Sequence, residues 1–209
     1  MKKLGKILIL FGFAILAFHI IYNKHLENNN KEIVDKYIEN TSVIVDNIKE
    51  EVQEEVNEKI NEIDIEEKQN ITYRIDYTAV LEIPSINLRR GVVDCTSGFN
   101  SLYYAISVDK SSNYPNEKGN FILYAHAGSS SYAFFKKLVN VEINDNVYVY
   151  YNGIKYHYII FDKYDIEKTG KASIVSPNDD NYITLITCNI AKKGYQTILI
   201  GKLIDNVDY

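Results

Sequence analysis

Sixteen consecutive residues, Ile7 to Tyr22 (ILILFGFAILAFHIIY), carry no acidic or basic side chain apart from His19, and three lysines, Lys2, Lys3 and Lys6, stand just before them. Such a run has no place on the surface of a water-soluble domain. With Leu4 and Gly5 it is about long enough to cross a bilayer as a slightly short helix. The lysine flank sets the N-terminus inside, so everything after Asn23 is expected outside. A cleaved signal peptide needs two small residues one apart before the cut. Ala14 and Ala17 are spaced otherwise, and bulky Phe18, His19, Ile20 and Ile21 follow. The expectation is an uncleaved single-pass anchor over residues 1–27, with His19 at the membrane interface and the remaining chain extracellular.

Residues 28–71 change character: no Gly, no Pro, many Glu and Lys. Apolar residues recur at Ile33, Val34, Tyr37 and Ile38, and again at Val52, Val56 and Ile60, a spacing of three and four that predicts helix. The stripe is thin and acidic residues dominate, so this reads as a solvated helical stalk, with a coiled coil or partner-binding helix as the sharper alternative. The net charge of -5 and the lack of a basic stripe exclude nucleic acid as a partner.

From residue 72 to 209 short strands with turn signals take over. Ala79 to Ile83 alternates and stops at Pro84; Ile86 to Val93 and Phe121 to Ala125 are further strands, the last after the turn Glu117–Asn120. Ser130 to Leu138 reads as a short helix. Asn152-Gly153, between Val147–Tyr151 and Ile154–Phe161, is a hairpin signal. Tyr182–Thr187 and Thr197–Ile204 close the chain, and Lys163 to Asn181 reads as a long connection. About eight short strands with inserted helical turns point to a mainly β, closed barrel.

Two cysteines cannot make a disulfide scaffold, and neither C-x-x-C nor H-E-x-x-H occurs, so no metal and no cofactor is expected. Glu142 and Asp145 read as a solvated turn rather than a calcium site. A cysteine nucleophile needs a base or cation nearby and a donor for the oxyanion. The exported part offers Cys95, Cys188, His126 and His157, hence four pairings. Cys188 ends the strand Thr184–Cys188 before a polar loop; His126 ends Leu123–His126, with small Ala125 and Ala127 on either side leaving room for substrate. His157 lies mid-strand, and Cys95 sits in a loop.

The segment TLITC (Thr184–Cys188) resembles the nucleophile strand of the sortase family, and GNFILYAH (Gly119–His126) resembles its histidine strand, in the same chain order. Leu81–Ile86 (LEIPSI) and Ala133–Leu138 (AFFKKL) also have counterparts, so the resemblance spans roughly Ala79 to Ile204. It implies an eight-stranded sortase-like barrel behind the transmembrane helix and stalk. It also implies a cysteine transpeptidase that cleaves a Leu-Pro-x-Thr-Gly-like signal near the C-terminus of a surface protein or pilin. The acyl group passes through a thioacyl enzyme to an amine of a cell-wall precursor or a pilin lysine. Cys188 is then the nucleophile and His126 the general acid, with Thr187, Ala125 and Ala127 beside the substrate.

One feature departs from the family pattern. The sortase arginine of the last strand falls on Gln196 when Gly201-Lys202 is aligned, and the chain's three arginines, Arg74, Arg89 and Arg90, lie far upstream. Gln196 can donate to the same oxygen, Lys192 or Lys193 can bring charge without the guanidinium fork, or the protein is a weak or inactive relative that binds sorting signals or scaffolds assembly. Papain-like amidases place Cys before His, and the motif of L,D-transpeptidases is missing. A Cys95–Cys188 disulfide is a further alternative to free thiols.

Overall fold

The computed structural model describes residues 2–51, 77–96, 105–169 and 180–209. The second half of the expected stalk, with Val52, Val56 and Ile60, lies outside the described residues, as does the connection from 170 to 179.

The domain is a barrel of eight strands: β1 (Ala79–Ile83), β2 (Leu88–Val93), β3 (Ile106–Val108), β4 (Gly119–Tyr124), β5 (Asn146–Tyr151), β6 (Ile154–Glu167), β7 (Asn181–Cys188) and β8 (Tyr195–Asp208). It closes in the order β1-β2-β3-β4-β7-β8-β6-β5. Only β2–β3 and β4–β7 are parallel among the pairings; the rest are antiparallel. The hairpin signal is realised: Asn152 and Gly153 both have positive φ, 50° and 75°, as a two-residue turn between β5 and β6 demands. Alternate residues fill the interior. Leu81, Ile83, Phe121, Leu123, Tyr158, Ile183, Leu185 and Leu199 belong to one buried cluster, which is the inward half of each pleated strand.

Three elements differ from expectation. Pro84–Ile86 is a 3-10 turn, not the start of β2, because Pro fixes φ and Asn87 takes a left-handed φ of 52°. Residues 130–138 form no α-helix. They make successive tight turns that end in a 3-10 turn at Leu138–Asn140, with Ala133, Phe135 and Leu138 turned into the core. Third, β6 continues six residues past Phe161, so the expected long connection begins at Lys168 instead of Lys163. A register shift between Ile160 and Asp162 lets β6 bend and follow β8 to its first residue.

Ahead of the barrel, α1 (Lys2–Glu51) is one continuous helix. It contains a stretch long and apolar enough to cross a membrane, Ile9–Thr41 by mean hydropathy of 1.4. Charged residues return at Lys24, Glu27 and Lys31, so the apolar part ends near Tyr22. Beyond it the helix does not stand clear in solvent. Val34 is 1% exposed against Val80 and Tyr150. Tyr37 Oη donates to Thr78 O at 2.7 Å, and Asp35 pairs with Arg89 at 2.5 Å. Of the stripe that sequence read as part of a solvated stalk, Val34, Tyr37 and Ile38 pack on the outside of β1 and β5, while Ile33 stays 42% exposed.

Candidate active site

The parallel register of β4 and β7 runs from Gly119↔Asn181 to Tyr124↔Ile186, and pairing continues past it. The Ala125 N–H donates to Ile186 O at 3.4 Å, and Thr187 Oγ1 donates to Ala125 O at 3.0 Å. His126 and Cys188 are the next residues along these two joined strand ends. Leu123, Ala125 and Leu185 face the core, so by alternation His126 and Cys188 face outward, and both are half-buried. On the other side of β7, Gln196 is the registered partner of Cys188. Inward Leu199 puts Gln196 on the outward face as well. A histidine, a thiol and an amide therefore share one face of three adjacent strands, at one end of the barrel.

Further down that face, Ile122, Ile198 and Ile200 are 0–8% exposed yet lie outside the main core cluster. They are apolar and lie toward the thiol on that face, already covered. Thr187 and Ala125, expected beside substrate, face the interior at 2% and 6% exposure. Their mutual hydrogen bond ties the two strand ends together behind the site. Ala127 is half-buried on the segment after His126.

Both loops flanking the site are pinned. In the β7–β8 loop Asn189 Oδ1 accepts from the N–H groups of Ala191 and Lys192, each at 2.9 Å. Asp165 on β6 accepts from Asn189 Nδ2 at 3.0 Å and from Thr197 Oγ1 at 2.8 Å. In the segment after β4, the Phe135 N–H donates back to His126 O at 3.0 Å, and the Tyr132 ring meets the His126 ring edge-on at 6.0 Å. A crevice of about 340 Å³ between this segment and α1, lined by Leu26, Asn30, Ile33, Arg90, Tyr132 and Phe134 among others, brings the helix close to the histidine's flank.

Of the cations considered from sequence, Lys192 is drawn away: its Nζ sits 3.4 Å above the centre of the Tyr195 ring. Arg89 and Arg90 are on β2, facing Asp35 and Glu27 of α1. The cation that does reach the sulfur is one sequence reasoning missed: Lys168 Nζ donates to Cys188 Sγ at 3.6 Å. The alternation Tyr164, Ile166, Lys168 would have signalled a strand continuing to that point.

Cys95 and His157 stand apart. Val93, Ser107, Tyr124 and Ile186 lie level across β2, β3, β4 and β7, so Cys95 follows β2 three strands away from Cys188. Both thiols are free, which leaves the alternative of a Cys95–Cys188 disulfide unmade. Partial burial, and then the adjacent Asp94 carboxylate, push the Cys95 thiol up. His157 lies between Asn146 and Asp205, at 2.7 and 3.2 Å. Glu142 and Asp145 close a turn on themselves, Asp145 Oδ2 accepting from the Glu142 N–H at 2.9 Å.

A sortase domain model matches residues 81–203, more than half the chain. Among solved structures, a sortase D5 transpeptidase of Clostridium perfringens superposes with a TM-score of 0.55 at 20% identity, covering 62% of this chain and 80% of that one. Sortase A of Listeria monocytogenes gives 0.55 at 23% identity, covering 64% and 90%. Sortase C of Streptococcus pneumoniae gives 0.56 at 20%, covering 61% and 68%. At these identities the structural likeness speaks for the fold. No curated protein sequence matches the chain.

Proposed function

Since the chain belongs to the sortase family, and is thereby a cysteine transpeptidase, we propose that it is held in the membrane by α1 and acts on sorting signals of surface proteins outside the cell. The apolar run of α1 spans the bilayer with its N-terminal lysines inside; residues 28–71 bridge to the catalytic domain, residues 72–209. The substrate is a Leu-Pro-x-Thr-Gly-like segment near the C-terminus of a surface protein or pilin, laid along the outward side of β4, β7 and β8 that leads to Cys188.

The Cys188 thiolate attacks the carbonyl carbon of the Thr-like residue. Gln196 Nε2 donates to the oxyanion that forms. As the intermediate collapses, the C–N bond breaks, His126 protonates the departing amine, and a thioacyl enzyme remains. An amine of a cell-wall precursor or a pilin lysine then attacks the thioester carbonyl, His126 takes the amine's proton, and the Cys188 thiolate leaves. Ala127 keeps the flank of His126 open to the chain. Thr187 and Ala125 set the spacing of the two strand ends. The observation that carries this reading is the shared outward face of His126, Cys188 and Gln196.

The neutral Gln196 favours a second reading: a sortase-type protein that binds sorting signals with little turnover. One experiment separates the two. Full-length protein in detergent micelles is incubated with a library of Leu-Pro-x-Thr-Gly-like peptides and an excess of a small primary amine. Transfer product that disappears with Cys188→Ala supports the transpeptidase; peptide binding without product in either form supports the second reading.

A further inference from the structure

A cysteine transpeptidase with glutamine opposite its nucleophile has a hydrogen-bond donor there and no positive charge. The end of β6 supplies one. Ile166 registers with Gln196 and Glu167 with Tyr195, and the Lys168 N–H then donates to Gly194 O at 2.8 Å. This fixes the Lys168 backbone at the start of β8. Glu167 is held by Tyr195 Oη, which donates to its Oε1 at 3.1 Å. By alternation Ile166 and Lys168 fall on the outward face that carries Gln196 and Cys188, and Lys168 Nζ lies 3.6 Å from Cys188 Sγ.

We propose that Lys168 is a catalytic residue of this site, the cation that pairs with the Cys188 thiolate, and that the two tasks one arginine would perform are divided between strands: charge from Lys168 on β6, oxyanion hydrogen bond from Gln196 on β8. This rests on the sortase-type reading only in making Cys188 the nucleophile. When the thiol ionises its proton goes to His126 or to solvent, and Lys168 stays protonated throughout. An ammonium is a mobile point charge without the guanidinium's fork, so it can follow the sulfur without also having to hold the substrate carbonyl. That is the part Gln196 keeps.

The test uses the full-length protein in detergent micelles with Cys95→Ser, so that one thiol reports. Second-order rates of Cys188 alkylation are measured with iodoacetate, an anion, and iodoacetamide, its neutral counterpart of similar size. A cation beside the sulfur favours the anion. Lys168→Met is expected to lower the iodoacetate-to-iodoacetamide rate ratio by about fivefold, the size of a solvent-exposed charge contact. Lys168→Arg is expected to retain the ratio, and raising the salt to about 1 M to compress the difference. A purely structural role would slow both reagents alike and leave the ratio in place. A ratio unmoved by Lys168→Met, or lowered as much by Lys168→Arg, overturns the proposal. Because no peptide is involved, the outcome is independent of whether a sorting signal is turned over: absent turnover with a shifted ratio would count against the function and leave only the pairing of Lys168 with the Cys188 thiolate standing.

Discussion

The barrel carries two cysteines, one closing a strand and one just past a strand, and their surroundings treat them in opposite ways. Cys188 closes β7 between a histidine strand and a glutamine strand, with a lysine ammonium at 3.6 Å. Cys95 follows β2 beside Asp94, whose carboxylate accepts from Thr96 N–H and Oγ1, both at 2.7 Å, and from Tyr114 Oη. A cation favours thiolate and a carboxylate opposes it. The comparison teaches that a strand end confers exposure and rigidity, while reactivity comes from what the neighbouring strands bring to the same face. At the Cys188 end, parallel pairing of β4 with β7 aligns two strand termini. At Cys95 the adjacent charge is the Asp94 carboxylate, which outweighs Lys110.

The widest contrast comes from removing the groups themselves. Cys188→Ala is expected to abolish peptide transfer, and His126→Ala to lower it by about 10²–10⁴, both read as product formed with a Leu-Pro-x-Thr-Gly-like peptide. Gln196→Ala removes one oxyanion donor and should lower turnover by about 10²–10³ with little change in peptide affinity. Unchanged turnover in that variant would assign the oxyanion to another donor.

A smaller effect is expected one step removed from the chemistry. Asp165→Ala leaves the Thr197 hydroxyl, on a residue 2% exposed, and the Asn189 amide without their acceptor. A loss of about 1–3 kcal/mol in denaturant unfolding is expected, with turnover lowered about tenfold or more as the loop after Cys188 loosens.

The surroundings of Cys95 give effects of another kind. The Tyr114 hydroxyl, followed by Thr96, holds the Asp94 carboxyl down to about 2. A depressed acid stabilises the fold above its unfolded value of about 4 and loses that contribution as pH falls toward 2. Asp94→Asn should therefore flatten the fall of Tm between about pH 4 and pH 2 and leave transfer at neutral pH unchanged. Smallest of all, Cys95→Ser is expected to leave turnover unaltered and stability within about 0.5 kcal/mol. A marked loss of transfer would break the contrast between the two thiols.

Much of this was written in local pattern. Asn152-Gly153 specified the β5–β6 hairpin, and the short runs Phe121–Ala125 and Tyr182–Thr187 gave the two strands whose ends make the site. Family motifs then singled out Cys188 and His126 from four pairings, which spacing alone left open. What escaped was non-local. Ile106–Val108 is three residues long and becomes a strand only because β2 and β4 flank it. The continuation of β6 to Glu167 is polar, Asp162, Lys163 and Asp165 among its residues, and depends on β8 for a partner; reading it as a loop hid Lys168. Ser130–Leu138 has helical composition, but burial of Ala133, Phe135 and Leu138 overrides that propensity. The Ile33–Ile38 stripe announced an apolar face without naming the surface of β1 and β5 that Val34, Tyr37 and Ile38 cover.

The central claim, that one strand end and not the other carries the nucleophile, is tested most directly by acid-quenching the full-length protein during reaction with a Leu-Pro-x-Thr-Gly-like peptide and mapping the acyl adduct by mass spectrometry. The account predicts a thioester on the peptide containing Cys188, absent in Cys188→Ala and undiminished in Cys95→Ser. An adduct on Cys95, or one that survives Cys188→Ala, would contradict it.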